Sequence, residues 1–225
     1  MNILDVKAFA GLLFLLLAMA ALLFGPAGTL DYWQAWTFLA GYFAASLAIT
    51  VYLMKKDRKL LARRMSGGPT AEKRPAQRVI MAITSLGFIG LLVVPALDHR
   101  FAWSHMPPAV ALAGDGLVLL GWLAIYFVFK ENTFTAATIE LAPDHRVVST
   151  GPYALVRHPM YAGGLVMLAG MPIALGSWWG LLVIVALTPA LIWRLFDEER
   201  FLAWNLPGYG EYQDRVRYRL IPRVW

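Results

Sequence analysis

The first group of residues that could do chemistry lies just after residue 150. Arg157, His158 and Tyr161 follow a turn at Gly151-Pro152, and Pro159 suits the first turn of a helix. The three polar side chains would gather at a helix N-terminus, where free backbone N–H groups favour an anion such as a carboxylate. The alternative is that Arg157 and Tyr161 only anchor the helix at a membrane surface.

A second group follows the last long apolar stretch. Arg194 and Glu198 are four residues apart and would share one helix face, although such a pair is also common as a solvated ion pair. Asp197, Glu198 and Glu199 form an acidic cluster that favours a cation. Together the two groups would suit a positively charged zwitterion. S-adenosylmethionine is one such molecule, but the charges alone do not select it.

Other kinds of site are absent from the sequence. It contains no dinucleotide-binding or phosphate-binding glycine motif, no paired-histidine zinc motif and no serine-hydrolase elbow. The chain has no Cys, which excludes disulfides, thiolate metal sites and Cys nucleophiles. His99 and His105 do not have the spacing of two ligands on one helix face. We therefore predict no metal site.

The composition excludes an ordinary soluble protein. Of the 225 residues, 59% are hydrophobic and only 15% are charged, whereas about 25% are charged in soluble domains. Disorder is excluded as well, because 13% of the residues are aromatic.

The apolar residues fall into runs long enough to cross a membrane as helices. A last run of 33 uncharged residues, 161–193, is too long for one untilted span and has a turn signal at Gly176-Ser177. The other runs are 8–24, 33–54, 79–97 and 109–129. We predict an all-α integral membrane helical bundle of four spans and a C-terminal helical hairpin. The hairpin arms would be short, which leaves open whether both cross fully.

The basic residues predict the orientation. Residues 55–78 hold nine of the 20 Lys and Arg residues, and the span assignment leaves only Arg100 on the opposite side. By the positive-inside rule both termini, residues 130–160 and the tail from 194 are cytoplasmic. A basic surface against anionic lipid is favoured over nucleic-acid binding, so the bilayer is the expected partner and nucleic acid is not.

The C-terminal motifs resemble the isoprenylcysteine carboxyl methyltransferase family, and the related membrane phospholipid methyltransferases share the outline. The resemblance covers about 95 residues, which divides the chain into N-terminal spans (1–129) and a methyltransferase catalytic region (130–225) within one structural unit. The matching motifs are Gly151-Pro-Tyr-Ala-Leu-Val-Arg-His-Pro-Met-Tyr-Ala-Gly163, the Gly-Ser-Trp-Trp turn at 176–179, Arg194 with Glu198-Glu199, Gly208-Tyr-Gly-Glu-Tyr212 and Ile221-Pro222.

The resemblance implies a membrane methyltransferase that uses S-adenosylmethionine in a cytoplasmic cofactor site. Arg194 matches the residue credited with holding the acceptor group of the substrate. The residues that would bind the cofactor are His145, Arg146, Val147, Val148, Tyr153, Arg157, His158, Pro159, Met160, Tyr161, Glu198 and Glu199.

The acceptor would be a lipophilic or small molecule, and its reacting group stays open. A carboxylate is already ionised near pH 7 and needs no general base, so Arg194 would only orient it. An amine or thiol would require a base such as His158 or Glu199. A transporter or lipid-binding protein that kept this fold without activity is the alternative outside enzymes.

Overall fold

The computed structural model describes residues 2–65, 67, 72, 74–139 and 145–225, and these residues form helices and no strands. The predicted all-α class is confirmed. The helices are α1 (Ile3–Ala27), α2 (Trp33–Lys56), α3 (Arg58–Met65), α4 (Pro75–Phe101), α5 (Pro108–Glu131), a short 3₁₀ turn (Gly151–Ala154), α6 (Pro159–Ala174), α7 (Gly180–Asn205) and α8 (Tyr209–Arg215).

Five of these helices, α1, α2, α4, α5 and α7, are long and apolar enough to span a membrane. The predicted bundle of four spans and a hairpin is confirmed, but the two hairpin arms are unequal. Helix α6 has 16 residues and is about 24 Å long, whereas α7 has 26 residues and continues past Trp193. The short arm therefore falls below the roughly 30 Å of a hydrocarbon core.

The turn of the hairpin is tied to the neighbouring spans. Gly176 has φ of +76°, a left-handed conformation that glycine adopts without steric cost. The Ser177 hydroxyl donates to Asp98 Oδ2 of α4 at 2.5 Å, and the Tyr32 hydroxyl donates to the Leu175 carbonyl at 2.6 Å. These bonds hold α6 and α7 against α2 and α4.

Helices α5 and α6 approach closely because glycines line their interface. A Cβ atom placed on Gly114 would lie 2.2 Å from the backbone nitrogen of Ala174, and one on Gly121 would lie 2.7 Å from the Gly163 carbonyl oxygen. Small residues allow membrane helices to pack backbone to backbone. This contact holds α6, and with it the residues at its N-terminus, against α5.

We expect Gly114→Ala to destabilise the protein by about 1–3 kcal/mol, because the new methyl group has no space. Gly116→Ala is the matched control two residues away, since a Cβ atom there meets nothing within 4 Å. Thermal unfolding of both variants in one detergent measures the difference. Equal midpoints would contradict the close packing of α5 on α6.

The arginines of the basic segment 55–78 mostly turn towards the protein. Arg58 pairs with Asp5, and Arg74 donates to Asp197 at 2.8 Å. Arg63 and Arg64 donate to backbone carbonyls of the 132–139 segment. The exposed basic residues of this segment include Lys55, Lys56, Arg58, Lys59 and Arg78.

Candidate methyl-transfer site

A cavity of about 320 Å³ lies between the start of α6, the second half of α7 and the segment that follows α5. This volume is within the usual range of small-molecule sites. Every predicted site residue except Glu199 lines it. The lining residues include Arg194, His145, Arg146, Val147, Val148, Tyr153, Arg157, His158, Pro159, Met160, Tyr161 and Glu198.

One face of α7 runs along the whole cavity. Leu191, Arg194, Glu198 and Leu202 all line it at spacings of three and four residues, which places them on one side of a helix. Leu191 belongs to the apolar part of α7 and Leu202 to its last turn. The cavity therefore extends along α7 for about 16 Å, from the apolar part of the span to its polar end.

Tyr161 joins the two predicted charged residues. Its hydroxyl donates to Glu198 Oε2 at 2.5 Å and accepts from Arg194 Nε at 3.1 Å. The first turn of α6 thus meets α7 at the polar centre of the cavity. The sequence prediction brought these three residues to one site, and the structure places them in direct contact.

Arg194 has further partners that the sequence did not suggest. Its Nη1 donates to Gln77 Oε1 at 2.9 Å and lies 3.3 Å from Glu72 Oε1, and its Nη2 donates to the Ala137 carbonyl at 3.2 Å. Gln77 in turn donates to Asp197. Since more than 100 residues separate Glu72 and Gln77 from Arg194, no local pattern pointed to them.

Glu199 does not line the cavity, and its carboxylate contacts a cluster of basic side chains. It accepts from Arg157 Nε at 2.7 Å and from Arg219 Nε at 3.0 Å, and it lies 3.2 Å from His158 Nε2. The Glu199 and Arg157 side chains are each only 6% exposed. The predicted cofactor role of Glu199 stays a prediction. Its carboxylate joins α7 to the start of α6 and to the C-terminal tail.

The tail completes this support through backbone bonds. The N–H groups of Arg157 and His158 donate to the carbonyls of Tyr218 and Arg219, both at 2.9 Å. Arg157 Nη1 also donates to the Val216 and Arg217 carbonyls. Arg157 and His158 therefore line the cavity but are held in place by Glu199 and the tail.

Aromatic side chains line the part of the cavity beside α8. Tyr153, Tyr209 and Tyr212 line it, and the Tyr212 hydroxyl donates to the Tyr153 carbonyl at 2.8 Å. Burial raises the pKa of Tyr153 and of Tyr212 well above the usual range, so both keep their protons. Tyr209 has a buried hydroxyl with no hydrogen-bond partner among the described residues. Such an orphaned group usually has a water or a ligand as its partner.

His145 is the second orphaned group in the cavity wall. Its ring stacks on Phe134 at a centroid distance of 4.8 Å, and its buried Nδ1 has no hydrogen-bond partner in the described part of the chain. Burial, reinforced by Arg63, lowers the pKa of His145, which favours the neutral imidazole. His145 and Tyr209 thus offer two unfilled hydrogen-bonding positions between apolar and aromatic walls.

The described residues contain no group of three or more His, Cys, Asp or Glu side chains placed to hold a metal ion. The site instead combines carboxylates, guanidinium groups and aromatic rings.

Comparison with known proteins shows what this part of the chain is similar to. Residues 110–206 match the phospholipid methyltransferase family. The match begins within α5 and ends just after α7, so it includes most of the residues that line the cavity, and it confirms the relationship inferred from the motifs.

Two curated proteins are similar to the chain. The cobalt-zinc-cadmium resistance protein CzcN of Cupriavidus metallidurans is 31% identical over 102 residues, which cover 44% of this chain and 47% of that protein. The Delta(14)-sterol reductase TM7SF2 of Mus musculus is 28% identical over 148 residues, which cover 58% of this chain and 35% of that protein. The chain thus spans half or less of the length of these relatives.

Proposed function

We propose that the chain is an integral membrane methyltransferase that uses S-adenosylmethionine to methylate a lipophilic acceptor. The observation that carries this proposal is the Arg194–Tyr161–Glu198 chain of hydrogen bonds in the wall of the cavity. The phospholipid methyltransferase match over the same residues supports it.

The cavity fits the chemical groups of this cofactor. Glu198 offers a carboxylate to a cationic ligand, and its only described hydrogen bond comes from the Tyr161 hydroxyl. His145 Nδ1 and Tyr209 Oη offer unfilled hydrogen-bonding positions, and Tyr153 offers an aromatic wall. The cofactor would supply an electrophilic methyl group when bound. The protein residues bind it, orient it and exclude water.

The opposite end of the cavity suits an acceptor that arrives from the bilayer. Met81 and Thr84 of α4 and Leu191 of α7 line this end, and both helices are candidate spans. The acceptor would reach Arg194 directly beyond Leu191. A water-poor site of this kind favours the joining of opposite charges into neutral products.

A carboxylate of an isoprenylcysteine-like molecule is the first candidate for the reacting group. Arg194 would orient it, and no general base is needed because a carboxylate is ionised near pH 7. The acceptor carboxylate would replace Glu72, whose 3.3 Å contact is the longest that Arg194 makes.

A phospholipid amine is the second candidate, and the position of Glu72 is the observation that favours it. With Glu72 at Nη1, Arg194 already has a carboxylate partner, and the site need not accept a second anion. Of the two residues that could serve as a base for an amine or thiol, His158 lines the cavity with its Nε2 atom 3.2 Å from Glu199, whereas Glu199 does not line it.

Methyl transfer from labelled cofactor tests the function. Purified protein is incubated with S-adenosylmethionine labelled in the methyl group and with membrane lipid and small-thiol extracts. Label released as methanol by mild alkali indicates a carboxyl ester, and label retained in the phospholipid fraction indicates an amine. Folded protein that transfers label to no fraction would contradict the proposal.

The proposed orientation places the cavity on the cytoplasmic side. Because the chain lacks Cys, single cysteines report on it cleanly. We expect Lys59→Cys, at an exposed position in α3, to react with a membrane-impermeant thiol reagent only in inside-out vesicles. Trp103→Cys, exposed at the other end of the bundle, should react only in right-side-out cells. The reverse pattern would contradict the orientation.

A further inference from the structure

Arg64 is a cationic residue in the cavity wall that has no role in the function proposed above. Its side chain is half-buried and lines the cavity. Nη1 donates to the Ala136 carbonyl at 3.0 Å, and the guanidinium lies 5.3 Å from the centre of the Phe129 ring. No carboxylate in the described part of the chain forms an ion pair with it.

The other arginines of the cavity differ from Arg64 in this respect. Arg157 is paired with Glu199, and Arg194 with Glu72. Arg146 is exposed to solvent. Among the described arginines that line the cavity, Arg64 is therefore the partly buried one that has no carboxylate partner.

The surroundings of Arg64 are unfavourable for a lone positive charge. Burial and the charge of Arg194 both lower its pKa, and the opposing effects of Tyr161 and Tyr153 are smaller. Removing a charge from water without a partner is costly, whereas a bound anion would convert that cost into a charge-assisted hydrogen bond. The planar guanidinium also suits a carboxylate, which it can bind with two parallel bonds.

We propose that Arg64 binds the α-carboxylate of the methionine portion of the cofactor. The proposal rests on the proposed function. An amino-acid end needs a carboxylate for its ammonium group and a cation for its carboxylate. Glu198 and Arg64 can supply these, because both side chains line the same cavity. Arg64 belongs to α3, outside the candidate spans, so it suits the cofactor better than an acceptor from the bilayer.

Arg63 provides a matched control. It neighbours Arg64 on α3, donates to the Thr133 carbonyl at 2.8 Å and lies 5.7 Å from the centre of the Phe134 ring. Each arginine therefore makes one carbonyl bond and one ring contact, but Arg63 does not line the cavity. Comparing Arg64→Gln with Arg63→Gln separates cavity binding from the attachment of α3.

Calorimetry with two cofactor fragments tests the proposal. S-adenosylhomocysteine contains the amino-acid end, and methylthioadenosine lacks it. We expect Arg64→Gln to weaken S-adenosylhomocysteine binding by roughly ten- to a hundred-fold, as for loss of a charge-assisted bond. Arg63→Gln should bind it like the parent. Methylthioadenosine should bind the parent and Arg64→Gln equally, which also shows that the variant is folded.

Two outcomes would overturn this inference and leave the proposed function standing. In the first, Arg64→Gln binds S-adenosylhomocysteine as tightly as the parent does. In the second, that variant loses affinity for both ligands by the same factor. A folded parent protein that binds neither ligand would instead overturn the proposed function, and this inference with it.

Discussion

Replacing Glu199 with Gln is expected to destabilise the folded protein by about 3–5 kcal/mol, the usual cost of removing one partner from a buried ion pair. The change leaves the buried Arg157 without its carboxylate and weakens the contacts of Arg219 and His158. Denaturant unfolding in detergent measures the loss.

Glu198→Gln is the control for this prediction, because Glu198 neighbours Glu199 but faces the cavity. It should unfold nearly like the parent while its affinity for S-adenosylhomocysteine falls by roughly ten- to a hundred-fold. If Glu198→Gln were the less stable variant, or if Glu199→Gln lost only ligand affinity, the two roles would be reversed.

Arg194→Lys is expected to bind S-adenosylhomocysteine nearly normally while methyl transfer falls by about ten-fold or more. Lys keeps the charge but loses the planar fork that reaches Tyr161, Gln77 and the Ala137 carbonyl together. The acceptor would then be poorly positioned against the methyl group. Single-turnover rates with the acceptor found by the labelling experiment measure the effect.

Arg200→Lys makes the same chemical change on an exposed part of α7 and should leave the transfer rate unaltered. An Arg194→Lys variant that turned over like the parent while losing affinity for S-adenosylhomocysteine would show that Arg194 holds the cofactor instead of the acceptor.

The spans were predictable because apolar runs of about 20 residues have few alternatives to a membrane helix. The end of α7 was not predictable, since charge was taken to end the span. Arg194 and Glu198 instead lie within α7, where Glu72 and Gln77 contact Arg194 and Tyr161 of α6 donates to Glu198. Hydropathy reports the solvent that a residue prefers and contains no information about partners distant in sequence.

The candidate site was also predictable from the sequence only in part. The spacing of Arg194 and Glu198 predicted a shared face, and the structure confirms that both face the cavity. Glu199 was grouped with Glu198 as a neighbour, although adjacent helical residues are about 100° apart around the axis. Arg64, Glu72 and Gln77 reach the site only through tertiary packing, so the motifs after residue 130 did not reveal them.

Calorimetric titration of the purified parent protein with S-adenosylhomocysteine tests the central claim most directly. The claim predicts saturable binding of one molecule per chain, with a dissociation constant between about 1 µM and 1 mM, the range of ordinary enzyme–substrate affinities. Folded protein that gives no binding heat with millimolar ligand, while a parallel thermal-shift measurement shows no stabilisation, would contradict it.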